Sequence, residues 1–149
     1  MHHADHGDDL LSALQDLHST SWALRAAAGR RLAAWPEDAR AIPALHRLLL
    51  DEHDTGVTQE TAEALLARRD LPGLRAVLRA LSQARGVGTA DQLNAEVRCD
   101  PRWTADRDET AQNIAQLSTL ARDKDPGVRG EALRMLRSTT TQDNADPAG

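Results

Sequence analysis

Residues 41–66 read AIPALHRLLLDEHDTGVTQETAEALL, and this stretch decides the fold. Its first half spaces Ile42, Leu45 and Leu48 as on one face of an α-helix, and its second half again spaces apolar residues at helical intervals. The acidic segment between the halves ends at Asp54, a residue type that caps the first turn of a helix with its carboxylate. The stretch therefore predicts two helices joined by a tight acidic turn.

Parts of this helix–turn–helix unit recur along the chain. Three positions of one helix recur 33 residues later, with Leu24, Ala28 and Leu32 matching Val57, Thr61 and Leu65. The four residues at 42–45, Ile-Pro-Ala-Leu, recur 29 residues later as Leu-Pro-Gly-Leu at 71–74. The acidic turn returns as Asp-Lys-Asp-Pro-Gly-Val at 123–128. Offsets of this kind indicate a repeat protein in which each helix pair packs on its neighbour.

The composition places the chain in the all-α class. Its 149 residues are enough for one domain with a buried core. The chain has three Trp but no Tyr and no Phe, and it is rich in Ala and Leu, both strong helix formers. No segment of the sequence alternates apolar and polar residues over the length of a strand.

Capping residues and helix breakers predict where the helices begin and end. The expected N-caps are Asp8 or Asp9, Ser21, Asp38, Asp54 or Thr55, Asp70 and Thr89. The expected helices cover about residues 9–17, 21–35, 39–50, 55–69, 71–81, 89–97, 107–122 and 126–137. The pattern thus predicts a disordered tail at 1–8, a helical domain at 9–137 and a second disordered tail at 138–149.

The segments at 41–65 and at 125–136 (DPGVRGEALRML) resemble the HEAT-like repeats of α-solenoids, an armadillo-type fold. The resemblance covers about residues 21–136, with a poor match over 87–106. It implies a short right-handed α–α superhelix of about eight helices. Helices that start near residues 21, 55 and 126 are then expected on the convex side. Those that start near 39, 71 and 107 are expected on the concave side, the usual binding surface of the family; a plain helical bundle is the alternative.

Basic side chains on the expected concave side are the first candidates for partner binding. They are Arg40, His46, Arg47, Arg75 and Arg79. Guanidinium groups that share a groove can bind the carboxylates of an acidic partner, or phosphates, with two hydrogen bonds each. The alternative is a solvated face whose arginines pair with neighbouring acids.

The loop at 98–106 interrupts the repeat and is the second candidate, because loops inserted into a repeat often carry binding residues. We expect Arg102 and Trp103 to contact a partner there. Cys99 lies in the same loop, but the sequence offers no matching histidine that would make it a catalytic nucleophile.

Three histidines near the N-terminus, His2, His3 and His6, are weak metal candidates. The terminal amine, two amides and His3 could form a square-planar set suited to Cu(II) or Ni(II), but we expect no metal site. His53 lies between turn acids that are expected to cap the following helix. The sequence contains no phosphate-binding, zinc or serine-nucleophile motif, so we expect neither a cofactor nor enzyme activity.

The formal net charge of −5 disfavours nucleic acid and acidic membranes as partners. No apolar run is long enough to span a bilayer and no secretory signal is visible, so we expect a cytoplasmic protein without a membrane partner. The leading hypothesis is a non-enzymatic scaffold or adaptor that binds another protein with an acidic surface. The alternative is a nucleic-acid module with an arginine-lined groove, and an enzyme subunit is a third hypothesis.

Overall fold

The computed structural model describes residues 2–145, and it describes side chains from Gly7 to Thr139. Over residues 2–145 the chain is helical with no strand, which confirms the expected all-α class. The α-helices are α1 His2–Gln15, α2 Trp22–Leu32, α3 Ala41–Leu49, α4 Thr55–Leu66, α5 Leu71–Gln83, α6 Val87–Arg98, α7 Arg107–Leu120 and α8 Pro126–Ala145. Two 3-10 helices, Asp16–His18 and Pro101–Trp103, follow α1 and α6.

Three of the predicted N-caps are confirmed, because each side chain accepts a backbone N–H from the first turn of its helix. Ser21 caps α2, Asp54 caps α4 and Asp70 caps α5. Asp106 caps α7 in the same way, through the amide of Glu109. These caps satisfy N–H groups that have no partner inside the helix, and this fixes where four of the helices begin.

Two of the caps predicted after α2 are wrong. Asp38 lies in the turn before α3 and accepts the amide N–H of Arg40, so its carboxylate closes the turn and leaves the start of α3 without a side-chain cap. This hydrogen bond lowers the pKa of Asp38. Thr89 lies inside the first turn of α6, which begins at Val87 behind the uncapped Gly86.

The terminal helices extend beyond the bounds that the sequence predicts. The helix α1 begins at His2 and therefore runs through most of the range 1–8, so the predicted cap at Asp8 or Asp9 is wrong because both residues lie inside the helix. The helix α8 continues to Ala145, past residue 138. Both extensions are polar, so helical periodicity of apolar residues gives no sign of them.

The burial of side chains follows the two repeat offsets. Four buried positions of α3 are buried again 29 residues later in α5: Ala44, Leu45, Leu48 and Leu49 match Gly73, Leu74, Val77 and Leu78. Four buried positions of the α2 segment recur 33 residues later in α4: Ala28, Gly29, Leu32 and Ala33 match Thr61, Ala62, Leu65 and Leu66. The sequence repeat is therefore also a repeat of core positions.

One predicted core position does not follow the offset. Leu24 is 47% exposed, whereas Val57, its match in α4, is fully buried. The buried residues of α2 are Ala26, Ala28, Gly29 and Leu32, so its buried face is turned away from Leu24.

The helices form two rows. One row places α4 between α2 and α6, and the other places α5 between α3 and α8. The expectation that α8 shares a side with α2 and α4 is wrong, and so is the expectation that α7 follows α3 and α5. It is α8 that packs along α5, while α7 packs mainly on α8. The contact is close because residue 127 is Gly: a Cβ there would lie 2.8 Å from the Cβ of Ser82.

Candidate functional site

A groove runs along the row of α3 and α5 and brings together three of the predicted site residues. We call it the α3–α5 groove, and it is lined by Pro36, Glu37, Ile42, Leu45, His46, Pro72, Arg75, Ala76, Arg79 and Lys124. Its apolar side is provided by prolines and aliphatic side chains, of which Ile42 is 37% exposed. His46, Arg75, Arg79 and Lys124 supply nitrogen donors, so the groove combines apolar surface with basic groups.

Arg75 is bound to an acid within the protein. Its Nε donates to Asp123 Oδ1 at 2.9 Å and its Nη2 donates to Asp123 Oδ2 at 3.0 Å. The hydrogen bond lowers the pKa of Asp123 and raises that of Arg75. Each carboxylate oxygen of Asp123 thus accepts a hydrogen bond from Arg75, and Oδ2 also accepts the amide N–H of Asp125. Arg75 therefore holds the turn between α7 and α8.

The same arrangement occurs at the acidic turn between α3 and α4. Arg25 of α2 donates from Nε to Asp51 Oδ2 at 2.8 Å, and Asp51 Oδ1 accepts the amide N–H of Asp54. Burial alone raises the pKa of Asp51, but the hydrogen bonds from Arg25 and from the turn amides outweigh it and lower the pKa. We call each of these Arg–Asp pairs a turn clamp. The DEHD segment with His53 is thus a structural turn.

Arg79 is the groove arginine with the weakest internal partner. Its Nε lies 3.9 Å from Asp125 Oδ2, beyond hydrogen-bond distance, while Asp125 Oδ1 accepts the amide N–H groups of Gly127 and Val128 at the start of α8. The Arg79 side chain is 35% exposed. Lys124 is exposed between the two turn acids. Arg79, which keeps only a long ion pair with Asp125, and the exposed Lys124 therefore place positive charge at the groove that a partner can reach.

His46 connects the two walls of the groove. Its Nε2 lies 3.1 Å from Oε1 of Gln83, so the imidazole of α3 is hydrogen-bonded to α5. Burial lowers the pKa of His46, and the positive charge of Arg79 lowers it further, while Gln83 and Asp125 act in the opposite direction. The imidazole is therefore neutral at pH 7, and it serves as a polar contact and not as a charge.

Arg40 and Arg47 lie outside the groove lining. Arg40 is exposed beside Asp38, with Nε 3.4 Å from its Oδ1. Arg47 is exposed on the other flank of α3, where it lines a second cleft with Trp22, His18 and the Arg25–Asp51 turn clamp. We call this surface the Trp22 cleft. The five basic residues predicted for one concave face are thus divided between different surfaces.

The segment 98–106 is attached to the body of the protein. Arg102 is 1% exposed: its Nε and Nη2 donate to Asp100 Oδ2, and its Nη1 donates to Gln116 Oε1. Trp103 is half-buried and donates from its indole N–H to the carbonyl of Val97. These side chains hold the connection between α6 and α7 in place. Because the guanidinium of Arg102 is enclosed, it does not present a surface that a partner could contact.

A third cavity is lined by three acids but contains no complete ligand set. Glu63, Glu96, Asp100 and the exposed Cys99 line it, and Asp100 is paired with Arg102. Burial raises the pKa of Glu96, and the negative charge of Glu63 raises it further. Among the side chains that the structure describes, no group of three or more His, Cys, Asp or Glu could hold a metal ion. The metal candidates His2, His3 and His6 lie outside the described side chains.

Sequence reasoning missed two features of the groove, Lys124 and the turn clamps. The repeated turns at 51–57 and 123–128 were a usable signal, because equivalent acids in a repeat are expected to make equivalent contacts. The arginines that bind them, Arg25 and Arg75, lie outside the repeated turn motif itself. Their pairing with Asp51 and Asp123 is visible only in three dimensions.

A scan against protein-family models, a search of curated proteins and a search of solved structures each returned no match. Within residues 2–145, none of the helices combines the length and the apolar character that a membrane crossing requires.

Proposed function

We propose that this protein is a non-enzymatic, HEAT-like helical scaffold of the cytoplasm that binds an acidic segment of another protein in the α3–α5 groove. The observation that carries the proposal is the placement of Arg79 and Lys124 beside exposed apolar surface at Ile42, on one groove. A partner segment that offers both a carboxylate and an apolar side chain satisfies both features. The repeat of buried positions at offsets of 29 and 33 supports the solenoid part of the proposal.

The groove distributes its charge unevenly, which gives the proposed complex a direction. Glu37 lies before α3 and borders the end of the groove where α3 begins, while His46 and Arg79 lie further along α3 and α5. An acidic residue of the partner is therefore expected near Arg79 and Lys124, with its apolar side chains over Ile42 and Ala76. A neutral His46 can contribute one hydrogen bond at pH 7 once Gln83 is displaced.

Nucleic acid is the weaker candidate. Arg75 spends its hydrogen bonds on Asp123, and Arg102 is buried against Asp100, so neither is available for a phosphate. Arg40 and Arg47 lie on other surfaces. The phosphate backbone of a nucleic acid would also be repelled by a chain whose formal net charge is −5.

The proposal is tested by titrating the isotope-labelled chain with a short synthetic peptide of repeated Glu-Glu-Leu and following backbone amide resonances. We expect shifts that cluster at Ile42, His46, Ala76 and Arg79. An Arg79→Glu variant should weaken binding on the order of tenfold, the effect of losing one charge-assisted hydrogen bond. The matched control is Arg98→Glu, the same charge change at an exposed arginine at the end of α6, which should bind as the unaltered chain does.

Three outcomes overturn the proposal. They are the absence of binding, equal weakening by both variants, and equal binding of a Lys-Lys-Leu peptide. A single-stranded oligonucleotide titrated at low salt provides the comparison with the alternative. Tighter binding of the oligonucleotide than of the acidic peptide would favour the nucleic-acid function.

A further inference from the structure

The two turn clamps indicate a second duplication in the fold. It relates different helices from those related by the sequence offsets of 29 and 33 residues. Arg25 of α2 clamps Asp51 before α4, and Arg75 of α5 clamps Asp123 before α8. In each case the turn continues to an acid that caps the next helix, and a Gly-Val pair follows it. The group α2–α3–α4 therefore corresponds to α5–α7–α8, although α6 interrupts the second group in sequence.

Each turn clamp borders a cleft on the protein surface. Arg75 borders the α3–α5 groove, and Arg25 with Asp51 borders the Trp22 cleft. Apolar surface and basic groups occur together beside both clamps. In the Trp22 cleft the apolar surface is Trp22, which is 51% exposed, and the basic group is Arg47.

Trp22 is held at one edge and open at the other. Its six-membered ring lies against the first turn of α4, where a Cβ at Gly56 would be 3.6 Å from ring atom Cζ3. Within the described part of the chain, no acceptor binds its indole N–H. Trp is rare in this sequence, and a half-exposed indole with a free donor is the residue type that dominates binding energy at protein interfaces.

Arg47 is the group of the Trp22 cleft that can bind an anion. The other arginine of the cleft, Arg25, is paired with Asp51, and Asp54 accepts the amide N–H of Gly56 as the cap of α4. Arg47 is exposed and, among the described residues, pairs with no acid, and the exposed His18 lies on the same cleft. The guanidinium of Arg47 is thus left without a direct ion-pair partner among the described residues.

We propose that the Trp22 cleft is a second binding surface, separate from the α3–α5 groove, for a further acidic and apolar segment of a protein partner. An apolar side chain of the partner packs on the indole ring, a carboxylate binds Arg47, and a backbone carbonyl accepts the indole N–H. Because Arg47 and His46 are neighbours on α3, the two surfaces flank the same helix. One extended partner can therefore occupy both, and the second contact raises the local concentration of the first.

The experiment uses the full chain and the Glu-Glu-Leu peptide, with the indole N–H resonances as reporters. The chain has three Trp, so a Trp22→Phe variant assigns the Trp22 signal by its disappearance. We expect the Trp22 signal to shift with peptide, and an Arg47→Glu variant to weaken this response on the order of tenfold. With a peptide too short to occupy both surfaces at once, Arg79→Glu should leave the Trp22 response unchanged. Arg47 is exposed, so this variant tests the cleft without altering the core.

The outcomes separate this inference from the proposed function, although both rest on the same recognition chemistry. A Trp22 signal that stays fixed while groove resonances shift overturns the second surface and leaves the groove standing. A Trp22 signal that shifts while groove resonances stay fixed supports the second surface and overturns the groove. An Arg47→Glu variant whose Trp22 response equals that of the unaltered chain removes Arg47 from the surface and contradicts the inference as stated.

Discussion

Arg75 of α5 and Asp123 of the α7–α8 turn form a pair of parallel hydrogen bonds, Nε to Oδ1 at 2.9 Å and Nη2 to Oδ2 at 3.0 Å. The two residues are 48 positions apart in the chain. This turn clamp attaches the α7–α8 hairpin to the row that contains α5. It also explains why Arg75 borders the proposed groove but is not available to bind a partner.

An Arg75→Gln substitution is expected to lower the free energy of unfolding by about 1–3 kcal/mol, because it removes two charge-assisted hydrogen bonds and leaves the 14% exposed Asp123 partly unpaired. Urea denaturation at pH 7 measures this change. The control is Arg30→Gln, which breaks the exposed ion pair with Glu60 and should change stability by less than about 1 kcal/mol.

The pH dependence of that difference has a defined sign. Arg75 lowers the pKa of Asp123 in the folded protein, so the folded chain keeps this carboxylate charged at a pH where the unfolded chain protonates it. The stabilisation is present above the unfolded pKa of about 3.9 and is lost as the pH falls through the lower folded pKa. The unaltered chain and Arg75→Gln should therefore differ at pH 7 and converge in acid. A difference that stays constant down to the acid transition contradicts this account.

The position of α8 against α5 is tested by two glycines of the same helix. Gly127→Ala should destabilise the protein by about 1–3 kcal/mol, because the new Cβ would lie 2.8 Å from Ser82 Cβ and force the helices apart. Gly130→Ala meets no atom within 4 Å and should stabilise α8 by roughly 0.5–1 kcal/mol, the gain in helix propensity. Thermal or urea unfolding of both variants gives the comparison. Equal effects would mean that α8 does not approach α5 at Gly127.

Thr58 is a position where a polar atom weakens the core. The side chain is fully buried, and its Oγ1 is without a hydrogen-bond partner. Thr58→Val keeps the shape and removes the unpaired hydroxyl, so we expect a stabilisation of about 1 kcal/mol. Thr61→Val is the control on the same helix: its Oγ1 donates to the Val57 carbonyl at 2.8 Å, and its loss should bring no gain. A stability of Thr58→Val equal to or below that of the unaltered protein would contradict the prediction.

Glu96 gives a prediction with the opposite pH dependence from Asp123. Burial and the charge of Glu63 raise its pKa, so the folded chain binds this proton more tightly than the unfolded chain does. Stability linked to Glu96 is therefore present below the unfolded pKa of about 4.3 and is lost as the pH rises through the higher folded pKa. Glu96→Gln should be more stable than the unaltered chain at pH 7. The gain should be less than about 1 kcal/mol, because the Glu96 side chain is partly exposed to solvent. Denaturation at pH 7 and pH 4 should show the gain only at the higher pH, and an equal gain at both would contradict it.

Local features of the fold were predictable because their causes are local. The caps at Ser21, Asp54 and Asp70 depend on a side chain and an amide only a few residues away. The mistaken cap at Thr89 shows the limit of this reasoning. Residues 86–88 are Gly-Val-Gly, and the two glycines predict that this segment is not helical. The helix α6 nevertheless begins at Val87, and it packs on α4.

The candidate site was predictable only in part. His46, Arg75 and Arg79 were placed on one groove because two parallel repeat helices present equivalent positions side by side. The availability of each cation was not predictable, since it depends on acids far away in sequence. Arg75 illustrates the point: the acid that binds it, Asp123, lies 48 positions away in the chain.

The sequence by itself determined that the chain is helical, where most helices begin, and which positions of α2 to α5 face the core, with Leu24 as an exception. These properties follow from spacing and capping, which act over a few residues. Only the tertiary structure decided that α8, and not α7, continues the row of α5, and that Arg25 and Arg75 are turn clamps. The physical reason is that helix packing selects among several apolar faces by close approach, as at Gly127 and Ser82, and a charge is free or paired according to what that packing brings near it.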